Sequence, residues 1–522
     1  MKTLSRGRSL VILVLIAVVS PGLAAQEKLD LQTLQRIRRE GLENSKVMDF
    51  LSWLSDVYGP RLSESPQYRK AGEWTVAKLK ELGLVNAAME PWGTFGRGWE
   101  LQKIYAAMTA PQYMPMIAYP KAWTPSTNGV VKGQPILADV KTAKDLDKYK
   151  GKVQGAIILT RGEQALTISF DPDADRLTDD ELAKLALAPE PGALPPAMPN
   201  IQEMMARQQL QMAMAKFFKD EGAAVLVEPG RGMDGTVFVA GGGSHMKGAA
   251  EPAPQLVVAA EHYNRIVRIL QKKIPVELEI EIQARFVDDD PQGANVVAEI
   301  PGVDKRLKGE IVMLGGHFDT WHAGTGATDD GAGCAVALEA VRVLKALGVQ
   351  PRRTIRIALW DAEEQGLFGS REYVKNHFFD RAKKEKKPEY DRLSAYFNYD
   401  NGGGKIRGVY AQGNIAASLI FEEWLKPFHD LGATAVVLRN TGGTDHLSFE
   451  GAGLPGFQFI QDEMEYDTRT HHSNMDVYDH VNRGDLMQAA TIMAAFVYNA
   501  AMRDEKMPRK YFDPNAPPRG RF

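Results

Sequence analysis

The sequence predicts an α/β fold: a mixed, mostly parallel sheet flanked by helices, with an inserted β-rich domain. Two observations predict it. Beyond residue 295, apolar strand-like runs at 311–315, 354–360 and 457–460 are interleaved with a helical pattern at 331–347, the alternation that builds a largely parallel sheet. Between about 120 and 290 the texture changes to short apolar runs separated by Gly and Pro, among them 153–160 and 223–227.

Taken in order, residues 31–84 read as helical, interrupted at Tyr58-Gly59-Pro60-Arg61-Leu62, where Gly and Pro impose a turn. The second of these helices, 71–82, stops at Gly83. Residues 189–200 hold five prolines and read as a loop, followed by a Met- and Gln-rich helix at 201–219 whose apolar side packs rather than binds a cofactor. The charged run 381–387 reads as a solvated face, and the Pro- and Arg-rich tail from 507 as a poorly ordered end. The resulting division is 1–25 as a leader, 26–119 with 291–505 as the main domain, 120–290 as the insertion and 506–522 as the tail.

At 522 residues the chain can bury a sizeable core, and a net charge of −3 offers no footprint for nucleic acid. Lys2, Arg6 and Arg8 precede an apolar run at 10–19 and then Pro21-Gly22-Leu23-Ala24-Ala25, the pattern of a cleaved signal peptide, which implies export to a periplasmic or extracellular space. The run is about half of the ~20 residues a membrane span requires, so no stable membrane insertion is expected after cleavage. The single cysteine, Cys334, excludes an intrachain disulfide, and its helical spacing with Leu338 and Val341 marks a buried core thiol.

The residues that carry chemistry follow the strands. His317 and Asp319 stand at i and i+2 after the apolar run 311–316, so the imidazole can bind a metal while the aspartate accepts its other proton. The Gly-rich turn at 326–333 holds Asp329 and Asp330, one suited to sit between cations and one to open the following helix. Glu363 and Glu364 follow the strand 354–360 at the carboxyl end, where open α/β sheets place their sites; one serves as ligand and the other as base, in an order that spacing leaves open. Asp400 ends another apolar segment, and Gly442-Gly443-Thr444-Asp445-His446 and Thr470-His471-His472-Ser473-Asn474-Met475-Asp476 add imidazoles in loops. This is an N/O donor set that suits zinc. Arg439 and Asn440, before the Gly-Gly-Thr-Asp-His loop, could meet a substrate carboxylate, although a surface position is commoner for arginine.

With these motifs the sequence resembles the co-catalytic di-zinc exopeptidases, the family of secreted leucine aminopeptidases, glutamate carboxypeptidase and carboxypeptidase Q. Residues 295–501 look like its catalytic portion, Tyr58-Gly59-Pro60-Arg61-Leu62-Ser63 like its opening, and Gly151-Lys152-Val153-Gln154-Gly155-Ala156 with Glu221-Gly222-Ala223 like an inserted protease-associated domain. The resemblance implies two Zn²⁺ per chain, one held by His317, Asp329 and Asp400 and the other by Asp329, Glu364 and His472. It further implies that Asp329 bridges, that Glu363 is the general base and that Asp319 orients His317. The glutamate carboxypeptidase branch has an oxyanion-stabilising tyrosine where this chain has His471, a departure that leaves the oxyanion donor open and leans toward the carboxypeptidase Q branch.

The implied function is an exported metallo-exopeptidase acting on small peptides as aminopeptidase, dipeptidase or carboxypeptidase, and pairing as a homodimer is compatible with the sequence. Two alternatives share the resemblance: glutaminyl cyclase-like acyl transfer, and a non-catalytic binding role like that of transferrin receptor. The filled ligand positions argue against the second.

Overall fold

The structure, a computed structural model, describes residues 27–187 and 201–515. The leader at 1–25 and the loop at 189–200 therefore lie outside the described residues. No described helix is long and apolar enough to cross a membrane.

The main domain is built on an eight-stranded sheet in the order Val85–Thr94, Gln292–Ile300, Thr354–Trp360, Ile311–His317, Leu393–Asn398, Gly456–Gln461, Ile406–Tyr410, Ala435–Val437. Its four central strands, from Thr354–Trp360 to Gly456–Gln461, run parallel to one another. Gln292–Ile300 joins Thr354–Trp360 antiparallel, Val85–Thr94 joins Gln292–Ile300 antiparallel, and on the other side Ile406–Tyr410 joins Gly456–Gln461 antiparallel. Alternation sends Val312 and Leu314 to one face and Ile311 and Met313 to the other, and both faces are covered. Leu31–Glu43, Ala332–Ala346 and Arg483–Met502 close the first face; Phe368–His377 and the short His446–Glu450 helix close the second. Cys334 is fully buried in the first layer, as its spacing suggests.

The predicted helix at 71–82 is longer at its start, Pro66–Glu81, because Ser65 caps it by accepting from the Tyr68 N–H and Pro66 occupies its first position. Gly83 follows with φ +82°, the left-handed residue that ends such helices.

The insertion leaves the main sheet at Gly98, some twenty residues before the expected 120, and returns at Val287. Gly98–Ala110 pairs antiparallel with Glu277–Val287, so strands far apart in sequence form the base of a four-stranded sheet. Above it a five-stranded sheet contains Ile157–Leu159, Val225–Pro229 and Gln255–Val258 in parallel, with helix Ala260–Gln271 packed on it. Among the described residues the insertion is thus two sheets with helices, and none of its strands joins the main sheet.

Among the contacts that hold the insertion to the main domain, two stand near the site. Arg176 pairs with Asp462 and Asp485, each at 2.8 Å, and Leu182 of helix Asp179–Ala186 packs on Ala435, Val437 and Ile460. Residues 237–239 are stitched to 472–474 by Val239 N–H to the His472 carbonyl (3.0 Å) and Asn474 N–H to the Val237 carbonyl (3.2 Å). The tail differs from expectation: Met507 is buried and Phe512 meets Phe379 edge-on, so the chain through Asn515 packs on the domain.

Candidate metal centre

Four parallel strands end on one side of the sheet, and the candidate residues gather there. His317 closes its own strand. Asp329 follows in the turn Ala327–Gly331, whose Gly326 has φ +67°, where an added Cβ would lie 2.2 Å from the Thr320 methyl. The Asp329–Asp330 peptide is cis. The two aspartates face different partners. Asp330 accepts from the His317 N–H (3.1 Å) and the Gly333 N–H (2.9 Å), tying strand to helix. Asp329 instead faces the histidines.

Asp329 Oδ1 lies 3.1 Å from His317 Nε2, and Asp400 Oδ2 lies 3.6 Å from the same nitrogen. Asp329 Oδ2 lies 3.3 Å from His472 Nε2, which is 2.8 Å from Glu364 Oε2. One carboxylate therefore serves two donor clusters. His471 stands at the rim, Nε2 3.9 Å from Asp329 Oδ2, its ring stacked on Tyr466 (centroids 4.5 Å apart) and against His472. His472 has φ +60°, a left-handed conformation unusual for a side chain with a Cβ, held by its carbonyl's bond to the insertion.

Asp319 differs in detail from the expectation. The near acceptor for His317 Nδ1 is the Asp319 backbone carbonyl at 2.9 Å, while the carboxylate is 3.7 Å away. The carboxylate is drawn to other donors: the backbone N–H groups of Glu363 (3.0 Å) and Glu364 (3.3 Å) and the Ser63 hydroxyl (3.2 Å). It thereby fixes the turn that carries both glutamates.

Other positioning residues were not singled out from sequence. Arg61, fully buried, donates to the carbonyls of Phe318 (2.8 Å), Leu54 (2.8 Å) and Gly326 (3.1 Å), joining the N-terminal turn to the loop before Asp329. Asp476 accepts from the Thr328 N–H and hydroxyl beside Asp329. The Arg-Leu-Ser sequence after Gly59-Pro60 was the available signal for the first; nothing local signals the second. Arg439 points away from the site, donating to the Leu187 carbonyl (2.9 Å) at the end of helix Asp179–Ala186.

Burial pushes Glu363 and Glu364 well above the ordinary carboxylate range, with neighbouring carboxylates adding to it. Burial opposes a charge on His317, but Asp400, Asp319 and Asp329 outweigh it and raise its pKa. His471 and His472 are lowered, chiefly by burial, toward the neutral form a metal ligand needs. Asp329 Oδ2 and Glu364 Oε1 are buried with no hydrogen-bond partner, which is costly for a carboxylate unless a cation meets it. The donor set therefore fits divalent metal.

A mixed sheet whose parallel strands end in two His/carboxylate clusters sharing one aspartate defines the class: an α/β metallopeptidase scaffold. Residues 295–497 match the model of Peptidase family M28. Among relatives, the chain is 31% identical to mouse (Mus musculus) carboxypeptidase Q over 256 residues, 49% of this chain and 52% of that protein. It is 26% identical to the bovine (Bos taurus) protein over 470 residues, 90% and 88% of the two chains. The match thus spans about half the length of the mouse relative and most of the bovine one. In fold it is similar to a peptidase M28 precursor from Shewanella amazonensis SB2B (TM-score 0.65, 23% identity, covering 92% of this chain and 99% of that one). It is also similar to BSAP, a zinc aminopeptidase from Bacillus subtilis (TM-score 0.53, 20% identity, covering 88% and 96%).

Proposed function

We propose that the protein is a metallo-exopeptidase that holds two Zn²⁺ ions and hydrolyses terminal peptide bonds of small peptides. The observation that carries this is the shared carboxylate: Asp329 offers Oδ1 to the His317 side and Oδ2 to the His472 side. In this reading His317, Asp329 and Asp400 hold one ion, and Asp329, Glu364 and His472 the other. Zinc is supported by the His/carboxylate donor set and by the zinc aminopeptidase among the fold neighbours. Bound there, the ions would polarise the scissile carbonyl and lower the pKa of water.

The chain's own residues do the rest. Glu363 takes the proton from the attacking water and returns it to the leaving amine, a task that a carboxylate of raised proton affinity suits. Asp319 holds Glu363 in place through its backbone N–H. His471, its side chain 34% exposed at the rim, is the proposed hydrogen-bond donor to the developing oxyanion. The insertion and the Trp321 ring, which meets His472 edge-on at 6.0 Å, wall one side and favour short substrates. The leader pattern at 2–25 supports action outside the cytoplasm.

The test is hydrolysis of a dipeptide, an N-blocked peptide and a C-amidated peptide, before and after chelation. Activity on at least one should vanish with chelator and return with Zn²⁺. Full turnover in the chelated protein contradicts the proposal.

A further inference from the structure

The loop that carries His471 and His472 belongs to the main domain by sequence, yet the insertion grips it at both ends. At its start Asp175 and Met464 exchange backbone bonds: the Asp175 N–H donates to the Met464 carbonyl (3.0 Å) and the Met464 N–H to the Asp175 carbonyl (2.9 Å). The Asp173 carbonyl accepts from the Thr468 hydroxyl (2.7 Å), and the Asp173 carboxylate pairs with Arg469. At the other end the Val239 N–H donates to the His472 carbonyl (3.0 Å) and the Asn474 N–H to the Val237 carbonyl (3.2 Å). The Asn474 side chain adds two bonds, accepting from the Val237 N–H (2.6 Å) and donating to the Gly235 carbonyl (3.3 Å). Between the grips the Arg469 carbonyl accepts from the Ser473 hydroxyl, which ties the first grip to the residue after His472. The main domain contributes the Thr328 hydroxyl, which donates to Thr470 (2.9 Å), and His480, which meets Glu465 at 2.6 Å.

We propose that the insertion is a working part of the second metal cluster: its two grips hold the 464–474 loop so that His472 stands ready for an ion, and binding of that ion in turn fastens the insertion to the main domain. This rests on the metallo-exopeptidase reading. Two features favour it. His472 has φ +60°, a strained state for a residue with a Cβ that persists only where the surroundings impose it, and its carbonyl is held by the Val239 N–H of the insertion. The first cluster is built differently, since His317 closes a central strand and its N–H is held by Asp330, both within the main domain. Linkage then requires that whatever loosens the grips weakens the second ion, and that losing the ion loosens the grips by the same factor. Arg469 and Asn474 are therefore positioning residues that act through His472.

The experiment measures Zn²⁺ retention in chelator-buffered solutions for the full chain and for Arg469→Gln, Arg469→Lys, Asn474→Ala and the Arg469→Gln/Asn474→Ala double variant. The double change is also placed in a His472→Ala background. Arg469→Gln and Asn474→Ala should each weaken one ion by about 3- to 10-fold and the double variant by about 10- to 100-fold, the range of ordinary coupling between sites, while the other ion stays within about twofold. The Arg469–Asp173 pair is partly exposed, at 19% and 46% of the two side chains, which sets Arg469→Gln at the low end. Arg469→Lys keeps the charge and should recover most of the loss. In the His472→Ala background the double change should alter the remaining ion by less than about twofold, because the residue it acts through is gone. In the wild type, hydrogen exchange at the amides of Val237, Val239 and Asn474 should quicken when zinc is removed, while those of Val312 and Leu314 in the central strand keep their protection. Equal weakening of both ions, no weakening in the double variant, an undiminished effect in the His472→Ala background, or exchange that ignores zinc overturns the proposal. Where the wild type holds two ions in any of these cases, the metallo-exopeptidase reading stands and only the coupling falls. A wild type that cannot hold two ions overturns both.

Discussion

Exchanging each member of the Glu363–Glu364 pair for glutamine separates base from ligand. Both backbone N–H groups are held by the Asp319 carboxylate, at 3.0 and 3.3 Å, so neither side-chain change removes the bonds that shape the turn. The Glu364 carboxylate is 2.8 Å from His472 Nε2, inside the second donor cluster. Glu363 stands among His317, Asp400 and Asp445, whose charges act on it, and in the proposed reading it holds no ion. Glu363→Gln should therefore keep the fold and both metals while losing ~10²–10⁴-fold in kcat, or ~3–5 kcal/mol of barrier at 1.36 kcal/mol per tenfold. Glu364→Gln should weaken the second ion, since a neutral amide oxygen is a poorer partner for a dication than a carboxylate. Metal analysis, thermal unfolding and turnover on zinc-saturated protein decide it. If Glu363→Gln empties a site while Glu364→Gln keeps two ions and loses only turnover, the roles are reversed. If both keep full metal and full rate, the site is elsewhere.

Two further outcomes concern stability. Arg61→Met removes one donor from each of three buried carbonyls, of which that of Gly326 keeps the Gly331 N–H, and should cost ~2–4 kcal/mol, read as a lower urea midpoint with unchanged slope; a cost under ~1 kcal/mol would show that Arg61 does not brace the loop before Asp329. His377 sits between Glu90 (2.6 Å) and Glu389 (3.3 Å); burial opposes its charge, but Glu389 and Glu90 outweigh it and raise its pKa to about 9. A raised folded-state pKa stabilises fully below the unfolded value of ~6.5 and is lost as pH climbs through 9. His377→Gln should therefore destabilise by ~1–2 kcal/mol at pH 6, after allowance for partial exposure, and by much less at pH 10. An equal penalty at both pH values would refute the ion-pair account.

Much of the centre was legible because its donors stand at the ends of hydrophobic strands. The run before His317, the strand Thr354–Trp360 before the glutamates and the segment before Asp400 each announce themselves by local apolar pattern. The positions that stayed hidden are those fixed by distant partners. Gly98–Ala110 became part of the insertion through pairing with Glu277–Val287, which no local periodicity encodes. Arg61 reads like any arginine after a turn, yet it is buried because three carbonyls from separate segments converge on it. The tail reads as a loose end because its proline content outweighs its few apolar residues, but Met507 is buried and Phe512 packs edge-on against Phe379. Arg439 shows the same limit, since sequence proximity to a site loop favours it while the fold turns it to the end of helix Asp179–Ala186.

Zinc stoichiometry of Asp329→Ala beside Asp400→Ala tests the shared-carboxylate account most directly. Asp329 faces both His317 and His472, whereas Asp400 faces His317. After equal dialysis, the wild type should retain about two ions per chain, Asp400→Ala about one, and Asp329→Ala close to none, because removing the bridge weakens both clusters together. An Asp329→Ala protein that still holds one tight ion, or a wild type that is fully active with one, would contradict it.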